Sequence, residues 1–155
     1  MPLPTHQDIY RSVLSHVASQ VSPIPVLVEA APEDTKGLST WFDADVTYLE
    51  PHQNQRNEDF TGRGTVRLRG YWRSGQGKPS IPGSPSPEPV DHKLTLSQAA
   101  QNALRGANVS IYDKASGSGA TRLGAALFSE APWSSLEPVD GKGTILVDAE
   151  FLFSD

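Results

Sequence analysis

The thirteen residues from Thr61 to Arg73 alternate between two kinds of side chain. One set of alternate positions is polar and basic, and the other contains Val66, Leu68, Trp72 and three glycines. Because successive side chains of a β-strand point to opposite faces, this pattern predicts a long strand with one basic and one apolar face. The glycines indicate close approach of the backbone, a bend or a bulge. The arginines of the basic face are Arg63, Arg67, Arg69 and Arg73.

A second alternating run, Ser39–Glu50, precedes this strand. About ten residues separate the two runs, a connection short enough for antiparallel neighbours in one sheet. Asp43 and Asp45 then lie opposite some of the arginines, with Arg67 and Arg69 as the expected partners. The apolar residues on the other face of this run are Phe42, Ala44, Val46 and Tyr48.

Helical spacing occurs at two places in the chain. Thr5 is predicted to cap a first helix of about four turns, with Asp8 favourable near its positive end. Thr95 and Gln98 have the spacing of a capping box and predict the start of a second, alanine-rich helix that Gly106 ends. The apolar positions of the first helix are Ile9, Val13 and Val17, with Tyr10, Leu14 and Val21 beside them.

Short apolar runs predict the remaining strands. These runs are Ile24–Ala30, Val109–Tyr112, Arg122–Phe128 and Thr144–Phe153, with turns expected at Pro132, Pro138 and Asp140-Gly141. The last run is expected inside the sheet, because so apolar a strand at an exposed edge would invite aggregation. The predicted fold class is α+β: a mostly antiparallel sheet of five to six strands with two helices packed on one face.

Length, composition and charge restrict the possible fold and function classes. A chain of 155 residues is expected to form one domain, residues 1–155, with a proline- and glycine-rich loop at residues 74–90. The absence of cysteine excludes disulfides, thiolate metal ligands and cysteine nucleophiles. The net charge of −5 disfavours a general nucleic-acid binder. The sequence shows neither the pattern of a signal peptide nor an apolar run long enough to cross a bilayer, so no membrane partner is expected.

No catalytic motif stands out in the sequence. The four histidines lack metal-binding spacing, and no GxSxG elbow occurs, so we expect no enzymatic activity and no cofactor. One alternative is a small enzyme in which Glu29, Asp43 and Asp45 form a carboxylate cluster around a divalent cation. The competing interpretation is that these acids are solvated or paired with arginines.

The arginine face has three interpretations: a solvated strand face, a protein interface or a contact with nucleic-acid backbone. A single-stranded nucleic-acid binder would combine the arginines with Tyr71 and Trp72. These adjacent side chains point to opposite faces, however, and cannot form one stacking platform. The first two interpretations are favoured. The candidate interface residues are Arg63, Arg67, Arg69, Arg73, Asp43 and Asp45.

The order of these elements resembles that of the tail terminator proteins of tailed bacteriophages, a family that caps the tail tube and joins it to the neck. The resemblance covers residues 5 to 153 and contains no invariant motif. The proline-rich insert between Ser74 and Pro89 is longer than the family pattern. The stretches that carry the resemblance are HQDIYRSVLSHV, PIPVLVE, TGRGTVRLRGYW, SQAAQNAL, NVSIY and GTILVDAEFLF.

This resemblance implies a structural virion protein of the tail and neck region, assembled in the cytoplasm of the host bacterium. It implies a homo-oligomeric ring, usually hexameric, with the tail tube protein and a neck or head-completion protein as partners, and passing contact with DNA in the channel. The interface arginines would pair with carboxylates of a neighbouring subunit or of the ring below. The loops Pro51–Asp59 and Gln76–Pro89 would contact the tail tube or neck. The alternative is another head–tail connector or neck protein, which differs in its stacking partner.

Overall fold

The computed structural model describes residues 4–28, 37–49, 62–73, 89–139 and 142–154. These residues form two helices, α1 (His6–Val21) and α2 (Pro89–Leu104), and seven strands. The strands are β1 (Val26–Leu27), β2 (Thr40–Leu49), β3 (Gly62–Arg73), β4 (Asn108–Tyr112), β5 (Arg122–Phe128), β6 (Trp133–Val139) and β7 (Lys142–Ser154). Neither helix is long and apolar enough to cross a membrane.

Helix α1 begins where the sequence predicts. The Thr5 hydroxyl accepts a hydrogen bond from the Asp8 amide at 3.2 Å, and the Asp8 carboxylate accepts one from the Thr5 amide at 2.8 Å, which completes a capping box. The helix ends at Val21, directly before Ser22 and Pro23, because proline disfavours helical angles in the residue that precedes it. The predicted apolar stripe is buried at Ile9, Val13 and Val17.

The predicted start of helix α2 is wrong. The helix begins at Pro89 rather than at Thr95, so Thr95 and Gln98 lie in its interior and do not form a capping box. Proline suits a first turn because its missing N–H would have no acceptor within the helix there. The predicted end is confirmed, since the helix stops at Leu104 and Gly106 adopts a φ of 64°.

All seven strands lie in one sheet, in the order β1-β2-β3-β7-β5-β4, with β6 also paired to β7. The pairs formed by the described residues are antiparallel except that of β1 with β2, so the sheet is mostly antiparallel, as predicted. Strands β3 and β7 pair from Gly62 opposite Phe153 to Arg73 opposite Lys142. The other edge of β7 is shared between β6 and β5. The expectation that β7 lies inside the sheet is confirmed.

Strand β6 raises the strand count above the predicted five to six. The sequence predicts turns at Pro132 and Pro138, but Pro138 lies inside β6, where the register with β7 shifts between Leu136 and Val139. Among the described strands β6 pairs with β7 alone, so a proline there need not interrupt a ladder on the other edge. The strand predicted at Ile24–Ala30 is shorter, since β1 contains two residues. The turn predicted at Asp140-Gly141 lies outside the described residues.

One face of the sheet packs against both helices and forms the core. The predicted apolar sides of β2, β3 and β7 all point into it. Glycines on this side allow the close approach that the sequence predicts: a Cβ on Gly64 would meet the ring of Phe151, and one on Gly70 would lie 3.0 Å from Phe42 and Ile145. The fully buried members include Phe42, Val66, Leu68, Ile145, Val147 and Phe153.

A candidate interface on the open face of the sheet

The face of the sheet that points away from the helices is called here the open face. Strand register places its side chains in rows across β2, β3 and β7. The rows contain charges of both signs together with exposed and buried apolar groups. In order along β3 they are Arg63–Leu152, Thr47–Thr65–Glu150, Asp45–Arg67–Asp148, Asp43–Arg69–Leu146 and Trp41–Tyr71–Thr144.

The predicted pairing of acidic and basic positions is confirmed at the level of register. Asp43 lies opposite Arg69, and Asp45 lies opposite Arg67. The ion pair that Arg67 forms is with Asp148 on the other neighbouring strand, where its Nε donates to Oδ1 at 2.9 Å. The hydrogen bond and the charge of Asp148 raise the pKa of Arg67, and the charge of Asp45 raises it further.

Sequence reasoning missed Asp148 as a partner because it did not predict that β7 pairs with β3. The alternation of the last run already placed Asp148 on the polar side of β7, which was the available signal. Both side chains of the pair are substantially exposed, 51% for Arg67 and 40% for Asp148, and such pairs contribute little to stability. The pair orients Arg67 more than it stabilises the fold.

Several charges of the open face lack an ion pair within the subunit. Arg63 and Arg69 are exposed, and neither comes within ion-pair distance of an acid in the described part of the chain. The Oδ1 atom of Asp43 is buried without a hydrogen-bond partner among the described residues. Burial raises the pKa of Asp43, and the charges of Arg69 and Lys142 oppose that rise. The two exposed arginines can bind partners of opposite charge.

Arg73, also a predicted interface residue, is held inside the subunit. Its Nε donates to the Leu38 carbonyl at 2.7 Å, and its guanidinium lies 5.3 Å from the ring centre of Trp41. The Lys142 ammonium lies 5.6 Å from the same ring, which also stacks on Tyr71 at 5.3 Å. Trp41 is only 2% exposed although it lies on the open face, a burial that the sequence pattern did not predict. These contacts give Arg73 a structural role within the subunit.

The opposite end of the open face carries a groove with a volume of about 680 Å³. Leu127 of β5 and Leu152 of β7 are direct register partners within it, and they are 42% and 47% exposed. Arg63 and Glu150 also line the groove and supply one charge of each sign. An apolar pair flanked by opposite charges suits a protein partner, since interface cores combine apolar contact with arginine.

The alternative carboxylate site has little support in the geometry. Asp43 and Asp45 share the open face of β2, but Arg69 lies between Asp43 and β7, and Lys142 acts on Asp43 as well. Glu29 lies outside the described residues. Within the described ranges no three acidic or histidine side chains are grouped to hold a metal ion. A cation at Asp43 would meet two positive neighbours.

Two further predictions concern the orientation of Tyr71 and Trp72 and the position of the contact loops. Tyr71 is on the open face and Trp72 is buried on the helix side, so the two rings point to opposite faces, as predicted. The predicted contact loop Pro51–Asp59 lies outside the described residues. The same holds for the loop Gln76–Pro89, except for Pro89, where α2 begins.

No protein-family model matches the sequence, and no curated protein matches it. Among solved structures, a chain of the virion of a native gene transfer agent (GTA) particle is similar to this chain. The similarity has a TM-score of 0.49 at 14% sequence identity and covers 94% of this chain and 93% of that chain. A similarity at this level assigns neither family nor function.

Proposed function

We propose that this chain is a structural subunit of a phage-like virion that forms a ring, caps the tail tube and joins the tail to the neck or head. The observation that carries the proposal is the open face. One side of the sheet is covered by both helices, whereas the other leaves Arg63 and Arg69 without ion-pair partners, and the Oδ1 atom of Asp43 without a hydrogen-bond partner, in the described part of the subunit. A ring supplies such partners through head-to-tail contacts that close on themselves.

The element order supports the same proposal. The stretches that resemble the tail terminator family coincide with elements of one fold: α1, β1, β3, α2, β4 and β7. Together they place a long charged strand in the middle of a sheet. In the proposed ring, Arg63, Arg67 and Arg69 face carboxylates of a neighbouring subunit or of the ring below. Asp43 and Asp45 pair with basic side chains of that neighbour.

The remaining parts of the proposal rest on the resemblance to the tail terminator family. The subunit acts without catalysis as a single domain, in a hexamer that stacks on the tail tube protein and meets a neck or head-completion protein. Its loops Pro51–Asp59 and Gln76–Pro89 contact those partners, and DNA passes through the channel. Assembly takes place in the cytoplasm of the host bacterium, and the protein remains in the virion.

Native mass spectrometry and electron microscopy of the purified protein test the ring directly. The double variant Arg67→Glu/Arg69→Glu is expected to reduce ring assembly, and the control Arg11→Glu, an exposed cation on α1, is expected to leave it unchanged. Thermal unfolding of both variants shows whether the subunits remain folded. A wild-type protein that is monomeric at every concentration, or a ring insensitive to the double reversal, contradicts the proposal.

Co-sedimentation separates the tail role from the alternative neck role. The ring is expected to sediment with purified tail tubes and to block their further extension. Binding to head connectors without binding to tubes would favour the head–tail connector alternative.

A further inference from the structure

An apolar side chain is exposed on the outer surface of α2. Leu94 is 50% exposed, the largest exposed fraction among the described large hydrophobic residues. Gln98 and Asn102 follow it at intervals of four residues, and both are exposed. The amide of Gln98 donates to the Asn102 side chain at 2.7 Å, which fixes the two as one polar ridge. The outer stripe of α2 therefore consists of one apolar group followed by uncharged polar groups.

The open face offers a row of matching character. Leu127 and Leu152 form an exposed apolar pair at one end of the groove, next to Arg63. The following rows are polar, with Thr65 opposite Glu150 first. The sheet therefore also presents one apolar position followed by polar ones.

The spacing of side chains along the outer stripe of α2 agrees with the spacing of rows along β3. Four residues of helix rise about 6 Å, and two residues of strand advance about 6.8 Å. With Leu94 over Leu152, Gln98 reaches the row of Thr65, and Asn102 reaches the row of Arg67. Over these two steps the helix and the strand diverge by about 2 Å, which side chains accommodate.

Charge fixes the direction of this match. Asp91 lies one turn before Leu94, and Arg105 lies beyond Asn102 at the end of the helix. With α2 running in the direction of β3, Asp91 comes near Arg63, and Arg105 comes near the row that contains Asp45. In the opposite direction, Asp91 would come near the row of Glu150, a like charge, and Gln98 and Asn102 would leave β3 and β7 and lie over β5.

We propose that α2 of one copy lies on the open face of the next copy, with Leu94 seated against Leu127 and Leu152. The occupant of the groove is thus a second copy of this chain, joined head to tail. This inference rests on the proposed ring and names its subunit interface: the helix layer of each subunit covers the sheet that its neighbour leaves open.

The absence of native cysteine allows a disulfide test in the full chain. Leu94→Cys and Leu152→Cys are made separately and mixed under mild oxidation, and a covalent dimer is expected from the mixture alone. Leu152→Cys mixed with Ser15→Cys, an exposed position on α1, is the matched control and is expected to give none. A dimer from Leu152→Cys alone would indicate a two-fold contact and overturn the proposal, as would absence of the Leu94–Leu152 link.

A charge exchange provides a second readout. Arg63→Asp is expected to lower the yield of the link at least several-fold, and addition of Asp91→Arg on the partner is expected to restore it. Failure of the restoration, in variants whose thermal unfolding is unchanged, counts against the charge match and overturns the stated direction.

The two proposals fail separately. Rings in electron micrographs without the Leu94–Leu152 link retain the proposed function and reject this interface. Open filaments in electron micrographs, together with the Leu94–Leu152 link, retain the interface and reject the closed ring. A chain that is monomeric and does not form the link rejects both.

Discussion

The two faces of the sheet come from the same strands but are stabilised by different means. In β3, Leu68 is fully buried beneath the helices, and the next residue, Arg69, is exposed on the open face. Burial of apolar surface dominates folding, whereas exposed ion pairs such as that of Arg67 add little. The face covered by the helices therefore holds the subunit together, and substitutions on the open face are expected to have a small effect on folding.

Two aspartates show the same contrast in their electrostatics. Asp8, at the start of α1, accepts hydrogen bonds from Thr5 and from the amides of Lys114 and Ala115 at 2.7 and 2.6 Å. Burial raises the pKa of Asp8, but these hydrogen bonds lower it by more, so the pKa lies below the ordinary value of an aspartate. Asp43 on the open face lacks such donors at one oxygen, and its pKa is raised. The carboxylate on the helix side has several hydrogen-bond donors, whereas the carboxylate on the open face has one oxygen without a donor.

The largest expected difference between the faces is at adjacent residues of β3. Leu68→Ala is expected to lower the free energy of unfolding by about 2–5 kcal/mol, because it removes buried contacts and leaves a cavity. Arg69→Ala should change it by no more than about 0.5 kcal/mol. Urea denaturation of both variants measures the difference, and equal effects would show that the open face also belongs to the core.

Close backbone packing on the helix side predicts a second effect. A Cβ on Gly64 would meet the Phe151 ring and the carbonyl oxygen of Thr47, so Gly64→Ala is expected to destabilise by about 1–3 kcal/mol. Gly37→Ala is the control, because no atom lies within 4 Å of its Cβ position. Thermal unfolding that treats both substitutions alike would contradict the packing at Gly64.

The anchored carboxylate predicts a pH-dependent loss. Asp8→Asn is expected to destabilise by about 1–2 kcal/mol at neutral pH, since an amide cannot accept all the hydrogen bonds made to Asp8. A lowered folded-state pKa contributes stability above the unfolded-state pKa, and this contribution disappears as the pH falls through the folded-state value. The gap between wild type and variant should therefore narrow below about pH 4. A gap that stays constant through acid titration would exclude an ionised Asp8.

The unsatisfied carboxylate predicts the smallest effect, with opposite sign. Because the folded-state pKa of Asp43 is raised, its ionised form opposes folding, and stability is gained as the pH falls through that pKa. Asp43→Asn is expected to leave the isolated subunit equally stable or slightly more stable at neutral pH, an advantage that vanishes in acid. Denaturation at several pH values checks the sign, and clear destabilisation at neutral pH would show that Asp43 already has a partner.

Sequence alone predicts the elements whose periodicity extends over many residues. The alternation of β3 and β7 and the four-residue spacing of α1 define the buried faces correctly, because burial on one side imposes that period. The start of α2 is missed because Thr95 and Gln98 have capping spacing by chance inside a helix. Strand β6 is missed because Pro138 normally marks a turn and is tolerated here in a strand that, within the described ranges, is paired on one edge.

The candidate site is predictable only in part. The position of Asp43 and Asp45 opposite arginines follows from a short connection, and the register confirms it. The ion pair of Arg67 with Asp148 joins residues 81 positions apart, and no local pattern encodes which strand borders β3 on its other side. The burial of Trp41 likewise depends on Arg73 and Lys142, which reach it from different strands.

The position of β7 has a consequence for biosynthesis. Strands β3, β5 and β6 all pair with β7, yet β7 emerges from the ribosome after each of them. The nascent chain must therefore keep the edge of β3 that pairs with β7 without this partner until residues 142–154 are translated. Contacts of such long sequence separation slow folding, which makes this interval the period in which the polypeptide is most dependent on chaperones.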